Sequence, residues 1–416
     1  MMEAIPSRGQ PPMPSDEAWT QQIEEFVKAI VGRGMSRPQR RNLWSVVSGM
    51  MGMLERRTLT GLASQPGVHR HASSLKRFMT HSRWDETKVV AELQQAVLEA
   101  VAHQPAGTPI QLVIDDTATV KHGPHMEGIG RHYCNGQIRW GHCKVTLYVI
   151  CGEVKVPWDF RVFVPEKVAE AQGLVYASKL ALAQEMLAGF PTLSERKVCV
   201  LFDSFYTSRA LMKYVCLERE WDLVARMESH RTAHYRNRKL SGKELAAERS
   251  ASWWQPLGVD DFEGGGLKVT LWHGIRGQLV MTRHDGEGLE KVHYLVTNRR
   301  DLSASQVVGL YRQRWYIETY HRDAKQLLGL AHYQRRPLRG LRRHFMLVDL
   351  AYTALRLQAC RDNHLQTDAS RPKVTLGSLR RQFRVVLEQN RVRATIEIFL
   401  ATGDYQQAYR AAGCFT

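Results

Sequence analysis

Three acidic residues stand where chemistry could be built. Asp115 follows the apolar run Leu112-Val113-Ile114, and Asp203 follows Val200-Leu201-Phe202. Both runs are short, apolar and β-branched, the pattern of a buried strand. A carboxylate at the C-terminal end of such a strand lies where open α/β sheets collect ligands. It can equally cap the turn that follows. The third acid, Glu318, belongs to a helical stretch. At ~100° per residue, Tyr311, Arg314, Glu318, Arg322 and Lys325 project within an arc of roughly 80°. Leu310, Ile317, Tyr320, Ala324 and Leu327 fall opposite. The helix therefore packs on an apolar face and presents one carboxylate among cations. A solvated face with i,i+4 ion pairs has the same alternation, but it leaves the two strand-end aspartates unaccounted for.

Together Asp115, Asp203 and Glu318 suggest a site for two divalent cations. Mg²⁺ is hard and takes oxygen ligands. Two such ions can activate an attacking oxygen and stabilise a leaving one at phosphorus. Arg314 and Lys325 would then meet the negative charge of a phosphodiester. Generating the nucleophile this way needs no general base, so His321, beside the stripe, reads as a DNA or packing contact.

The elements that must position these groups follow from periodicity. Residues 16–103 carry helical patterns with Arg37, Arg40, Arg41, Arg56, Arg57, Lys76 and Arg77 between them. Such a module suits DNA, or is a solvated helical face. Gln104-Pro105-Ala106-Gly107 breaks the pattern and strands begin. Strands are predicted over 109–114, 144–149, 154–164, 198–202 and 223–225, with helices over 168–187 and 209–219. Residues 230–298 read as a β-rich insertion with strands over 267–272, 278–282 and 292–296, in which Gly264-Gly265-Gly266 is a turn. Ser303 with Gln306 makes a capping box, and that helix should run to about Gly329. The domains expected are a disordered lead-in (1–18), a helical DNA-binding domain (19–105), a core in two parts (106–229 and 291–350) around the insertion (230–290), and a C-terminal helical region (351–416).

Charge agrees with a polyanionic partner. In 416 residues, 58 Lys and Arg face 41 Asp and Glu, a net +17. A surplus of that size favours nucleic acid. Arg335, Arg336, Arg339, Arg342 and Arg343 place five arginines in nine residues, a candidate backbone patch. No apolar run reaches the ~18 residues of a membrane helix. The seven cysteines are scattered without a CxxC, which argues against a disulfide framework and for a reducing, cytoplasmic setting. Cys134, His142, Cys143 and Cys151 fit no standard zinc spacing.

The spacing Tyr311-x2-Arg314-x3-Glu318-x6-Lys325 resembles the signature of bacterial insertion-sequence transposases of the DDE type, in the group named for insertion sequence four. Asp115-Asp116-Thr117 resembles the family's first strand end, an Asp-x-Thr, and Asp203 its second Asp. Tyr294-Leu295-Val296-Thr297-Asn298 resembles the strand before the glutamate helix. The likeness spans about 72–330. It implies an α/β fold with an RNase H-like core, a β-rich insertion and helical flanks. It implies cleavage at transposon ends and strand transfer into target DNA, cut-and-paste through a hairpin, with two Mg²⁺ or Mn²⁺ ions per site. Asp115, Asp203 and Glu318 would be the catalytic metal ligands, and Tyr311, Arg314 and Lys325 would contact DNA near the scissile phosphate. It further implies a homodimer on terminal inverted repeats, nucleoid-associated when bound to DNA. A flipped base could stack on Trp253, Trp254, Trp272 or Trp315, each of which also reads as core. The alternatives are an RNase H-like nuclease that does not join, and a domesticated DNA-binding protein without catalysis.

Overall fold

Helices occupy both ends of the described residues and strands the middle, as the two periodicities require. The computed structural model describes residues 16–32, 35–53, 57–63, 71–121, 125–134, 136–193, 195–334, 337–365 and 373–411. Five helices come first: α1 (Asp16–Val31), α2 (Arg37–Gly52), α3 (Leu59–Ala63), α4 (Ala72–Thr80) and α5 (Glu86–Ala102). The lead-in expected over 1–18 lies outside the described residues up to 15, and α1 already begins at Asp16. In α2 a capping box joins Ser36 and Gln39. Its buried Leu43, Val46, Val47, Met50 and Met51 form the apolar stripe of a core-facing helix.

Four strands follow: β1 (Ile110–Val120), β2 (Gly130–Cys134), β3 (Gln137–Cys151) and β4 (Val154–Phe163). The single helix expected over 168–187 is two, α6 (Glu166–Gln172) and α7 (Lys179–Ala188). Gly173 closes α6 in the left-handed region, φ +62°, and Ser178 caps the restart. Then come β5 (Val198–Phe202), α8 (Arg209–Lys213), β6 (Asp222–Met227), β7 (Thr232–Tyr235), β8 (Arg238–Ser241) and α9 (Gly242–Ala247). They lead to β9 (Gln255–Pro256), β10 (Phe262–Thr270), β11 (Arg276–His284) and β12 (His293–Thr297). Five helices end the chain: α10 (Ala304–Arg312), α11 (Trp315–Leu327), α12 (Leu338–Leu365), α13 (Leu376–Thr402) and α14 (Tyr405–Ala411). No described helix is long and apolar enough to cross a membrane.

Among the described residues the strands form one mixed sheet, in the order β2-β3-β1-β5-β6-β12-β11-β10-β7-β8, with β4 on β3 and β9 on β10. β1 pairs antiparallel with β3 and parallel with β5, and β5 is parallel to β6. The segment expected as an insertion thus continues the same sheet through β12, which joins β6 to β11. Gly264-Gly265-Gly266 lies inside β10, not in a turn. A side chain at Gly265 would strike the Trp253 ring, so the missing Cβ lets that indole lie on the strand.

The chain divides into two units, Met1–Leu93 with Gln326–Gln334 and Arg343–Thr416, and Gln94–Lys325 with Arg335–Arg342. The helices expected as separate regions, 19–105 and 351–416, therefore largely share the first unit. The apolar stripe of α2 is the reason. Phe383 of α13 packs edge-on against Trp44, and Gly52 lets Leu387 approach α2 closely.

Candidate active site

β1 does not stop at Asp115. Its parallel ladder with β5 ends at Ile114 opposite Phe202, but its antiparallel ladder with β3 runs on, pairing Asp115 with Thr146 and Thr117 with Lys144. Asp115 is therefore the first residue past the end of β5, and Asp203 is the first residue after β5 itself. Both sit at the C-terminal edge of the parallel pair. Alternation sends Asp115 and Asp116 to opposite faces of β1.

On the Asp115 face, Arg314 brings strand and helix together. Its Nη1 donates to Asp115 Oδ2 at 3.2 Å, and its Nη2 donates to Glu318 Oε1. The helix expected from Ser303 is interrupted here. Arg314 N–H donates to the Tyr311 carbonyl and Ile317 N–H to the Arg314 carbonyl, two tight i−3 turns between α10 and α11. A uniform 100° step thus does not run from Tyr311 to Lys325, yet Arg314 and Glu318 still meet four residues apart. Tyr311 is half-buried, with the Arg314 guanidinium 5.9 Å from its ring centre. Lys325 is half-buried, and Arg322 is exposed with its Nε 3.5 Å from Asp323.

Burial pushes the Asp115 carboxyl up to about 7; Arg314 opposes the rise, and Asp203 and Asp116 add to it. Asp203 is raised as well, first by burial. Burial disfavours the charged form of both acids, and the one guanidinium that reaches Asp115 is shared with Glu318. A set of hard carboxylate oxygens in that condition fits a divalent cation. The Thr146 hydroxyl, buried opposite Asp115, has no hydrogen-bond partner, so the floor of the site holds an unspent oxygen as well. With Arg314 between Asp115 and Glu318, no cluster of three His, Cys, Asp or Glu among the described residues is ready to ligate. Arg314 would have to move aside.

On the other face Asp116 is fully engaged. It accepts from Tyr206 Oη at 2.9 Å, Lys179 Nζ at 2.7 Å and Cys143 Sγ at 3.2 Å. Tyr206 also donates its amide to Asp203 Oδ1 at 3.0 Å, and the Thr207 hydroxyl donates to the Asp203 carbonyl at 2.6 Å. The loop after β5 is thereby tied to β1. Fully buried Lys144 donates to Tyr320 Oη at 2.5 Å and fixes α11 to β3. Sequence reasoning missed Tyr206, Lys179 and Lys144. Only Lys179, directly after the Ser178 cap, had a local signal. His321 is buried, and burial foremost holds its imidazole well below the ordinary range, which makes it a packing residue.

Other expected residues separate. Arg343 is 1% exposed: it pairs with Glu86 at 2.6 Å, donates to the Phe78 carbonyl at 2.8 Å and lies over the Trp84 ring. It is a core cation, not part of a DNA patch. Arg57, read as basic surface, is likewise buried and donates to the Met50 and Met53 carbonyls at the end of α2. Arg339 and Arg342 are exposed, while Arg335, Arg336 and Arg56 lie outside the described residues. Of the tryptophans, Trp254 is buried and Trp315 is 62% exposed.

Comparison with known proteins adds an independent line. The profile of the family described as DDE superfamily endonuclease matches residues 32–251, more than half of the chain. The match takes in Asp115 and Asp203. A protein of Microchaete diplosiphon, described as a probable transposase for insertion sequence element IS701, is 30% identical over 161 residues. That alignment covers 38% of this chain and 40% of the relative's length. Among solved structures, the chain is similar to the piggyBac transposase in a synaptic complex with hairpin DNA, with a TM-score of 0.49, 12% identity, and coverage of 92% of this chain and 82% of that one. That last likeness is too distant to bear on function.

Proposed function

The chain belongs to the DDE superfamily of endonucleases, and from that premise we propose that it is an insertion-sequence transposase, cutting DNA at transposon ends and joining them to target DNA. The observation that carries this reading is the Arg314 guanidinium shared by Asp115 and Glu318, two acids that meet only through folding, with Asp203 raising the Asp115 carboxyl beside them. The strand order β4-β3-β1-β5-β6, antiparallel and then parallel, supports an RNase H-like core. The net +17 supports a DNA partner.

In this reading Asp115, Asp203 and Glu318 would hold Mg²⁺ or Mn²⁺, two ions per site. Bound divalent metal supplies an activated attacking oxygen and charge neutralisation at phosphorus. The chain's own residues orient the DNA. Arg314 gives up its carboxylates and offers its planar fork to phosphodiester oxygens. Tyr311 and Lys325 flank the scissile phosphate, and Arg322, Arg339 and Arg342 hold backbone further out. Asp116 ligates nothing; it keeps Tyr206, and through it Asp203, in place. The cut end passes through a hairpin, two copies of the chain hold two ends, and the exposed Trp315 stacks a flipped base.

Glu318→Gln tests this. Labelled DNA carrying the repeats that flank the coding region is incubated with a target plasmid and Mg²⁺ or Mn²⁺. Wild type should cut and join. Glu318→Gln should bind the DNA equally and cut it slower by orders of magnitude. Cut ends that never join would leave a nuclease without strand transfer, and equal inertness of both proteins would leave a DNA-binding protein.

A further inference from the structure

Away from the carboxylates, several exposed cations of the same unit line one cavity. A cavity of ≈ 680 Å³ opens where the β7–β8 hairpin meets the end of β10, the turn after it and the start of β11. Arg209, Arg236, Lys239, Lys268, Arg276 and Arg300 line it, all of them exposed. No lining residue is acidic, and none belongs to the carboxylate site. The same unit pairs its other cations freely: Arg238 with Glu248, Arg283 with Glu263, and Arg299 with Asp222 and Asp301. Like charges crowded around a cavity repel one another, and an anion placed among them relieves that repulsion.

The backbone points the same way. Five non-glycine residues in the described chain have positive φ, and Arg236 (+49°), Asn237 (+63°) and His273 (+57°) of this cavity are three of them. A two-residue type I′ hairpin turn needs positive φ at both positions, which favours Asn-Gly. Here Arg236 occupies the first, so a strained backbone position is spent on presenting a cation. Strain of this kind collects at functional sites.

We propose that this cavity binds the phosphodiester backbone of duplex DNA, as a second DNA contact apart from the carboxylates. The choice of duplex DNA rests on the transposase reading above. Four of the six cations are arginines, whose forked donors match paired phosphate oxygens. The contact is independent of base sequence, because backbone binding reads charge and spacing only.

The test compares wild type with the triple variant Lys239→Ser, Lys268→Ser, Arg276→Ser. Duplex DNA of random sequence is titrated by fluorescence anisotropy across a KCl series, with thermal melting as a folding check. Each phosphate contact contributes about 0.9 to the salt slope. The triple variant should therefore lose about 2–3 from that slope and bind more than tenfold weaker at low salt, with an unchanged melting temperature. A second variant, Lys239→Arg, Lys268→Arg, Arg276→Lys, keeps the charge and should keep the slope. An unchanged slope in a folded triple variant overturns the proposal, as does a loss seen with single-stranded RNA and not with duplex DNA. Cleavage in Mn²⁺ is followed in parallel. Slope loss in the triple variant, alongside a wild type that cuts no DNA, leaves the cavity standing and removes the nuclease reading. Cleavage with an unchanged slope removes the cavity alone.

Discussion

The Tyr206 hydroxyl donates to Asp116 at 2.9 Å while the Tyr206 amide donates to Asp203 at 3.0 Å. One residue, through its hydroxyl and its backbone amide, thus ties the second acid of the site to the strand that carries the first. Tyr206→Phe keeps the ring and removes the tie. Because the acceptor is a charged group, the loss should lower stability by about 1–3 kcal/mol in urea unfolding. Residues that orient a metal ligand affect metal affinity by about 10–100-fold when removed. Mn²⁺ titration followed by electron paramagnetic resonance should therefore show at least about tenfold weaker binding. A folded Tyr206→Phe with wild-type Mn²⁺ affinity would mean that Asp203 is held without this hydroxyl.

Arg314 bridges Asp115 and Glu318 and offsets part of their charge in the absence of metal. Arg314→Ala leaves two acids facing each other with no cation between them. Removing one partner of a buried pair costs about 3–5 kcal/mol, and this half-buried one should sit at or below the lower end. The metal-free variant should melt below wild type, and Mg²⁺ should raise its melting temperature more than it raises wild type's. DNA end cutting should fall further than general DNA binding. Equal Mg²⁺ shifts for the two proteins would count against metal binding at these carboxylates.

What could be read in advance was local. The β5 run, Asp203 after it, and the Ser303–Gln306 capping box depend on neighbours within a few residues, and all appear as expected. The course of β1 past Asp115 depends on β3, whose partner residues lie about thirty positions away. No pattern within 110–120 carries that pairing. The break at Gln313 and Arg314 escaped for the opposite reason: the apolar spacing continues through it, and only the backbone hydrogen bonds switch to i−3. The segment after residue 230 shows its strands in its composition but not its place in the common sheet, since the pairing of β6 with β12, in the middle of that sheet, joins residues about seventy positions apart. Charge in particular does not reveal burial.

Arg343 illustrates that last point and can be tested against its neighbour. Both arginines lie in the same basic run, but Arg343 is enclosed by Glu86, the Phe78 and Trp84 carbonyls and the Trp84 ring, whereas Arg342 is exposed. Arg343→Ala leaves Glu86 without its cation and a void against Trp84, and should cost about 3–5 kcal/mol in urea unfolding. Arg342→Ala should change stability by less than about 0.5 kcal/mol. In salt titrations of DNA binding, Arg342→Ala should reduce the slope by about 1, and folded Arg343→Ala should not. A reversal of the two outcomes would return Arg343 to the DNA surface.

Acid should destabilise the protein through its buried histidines. Burial pushes His132 down to about 4 and lowers His142 and His321 as well. Above the ordinary imidazole value of about 6.5, these rings are neutral in both the folded and unfolded chain, and their full contribution to stability is present. As pH falls below that value, the unfolded chain takes up protons that the fold refuses, so stability drops until the folded values are reached. Asp115, pushed up to about 7, acts in the opposite sense: its contribution is present below the ordinary carboxyl value and is lost as pH rises toward 7. The two effects separate by mutation. His132→Leu should flatten the loss of stability between pH 6.5 and 4 by up to about 3 kcal/mol. Asp115→Asn should remove the opposing loss across the same range. Urea unfolding at a series of pH values measures both, and identical pH profiles for wild type and His132→Leu would show that the ring accepts a proton in the fold as readily as in the unfolded chain.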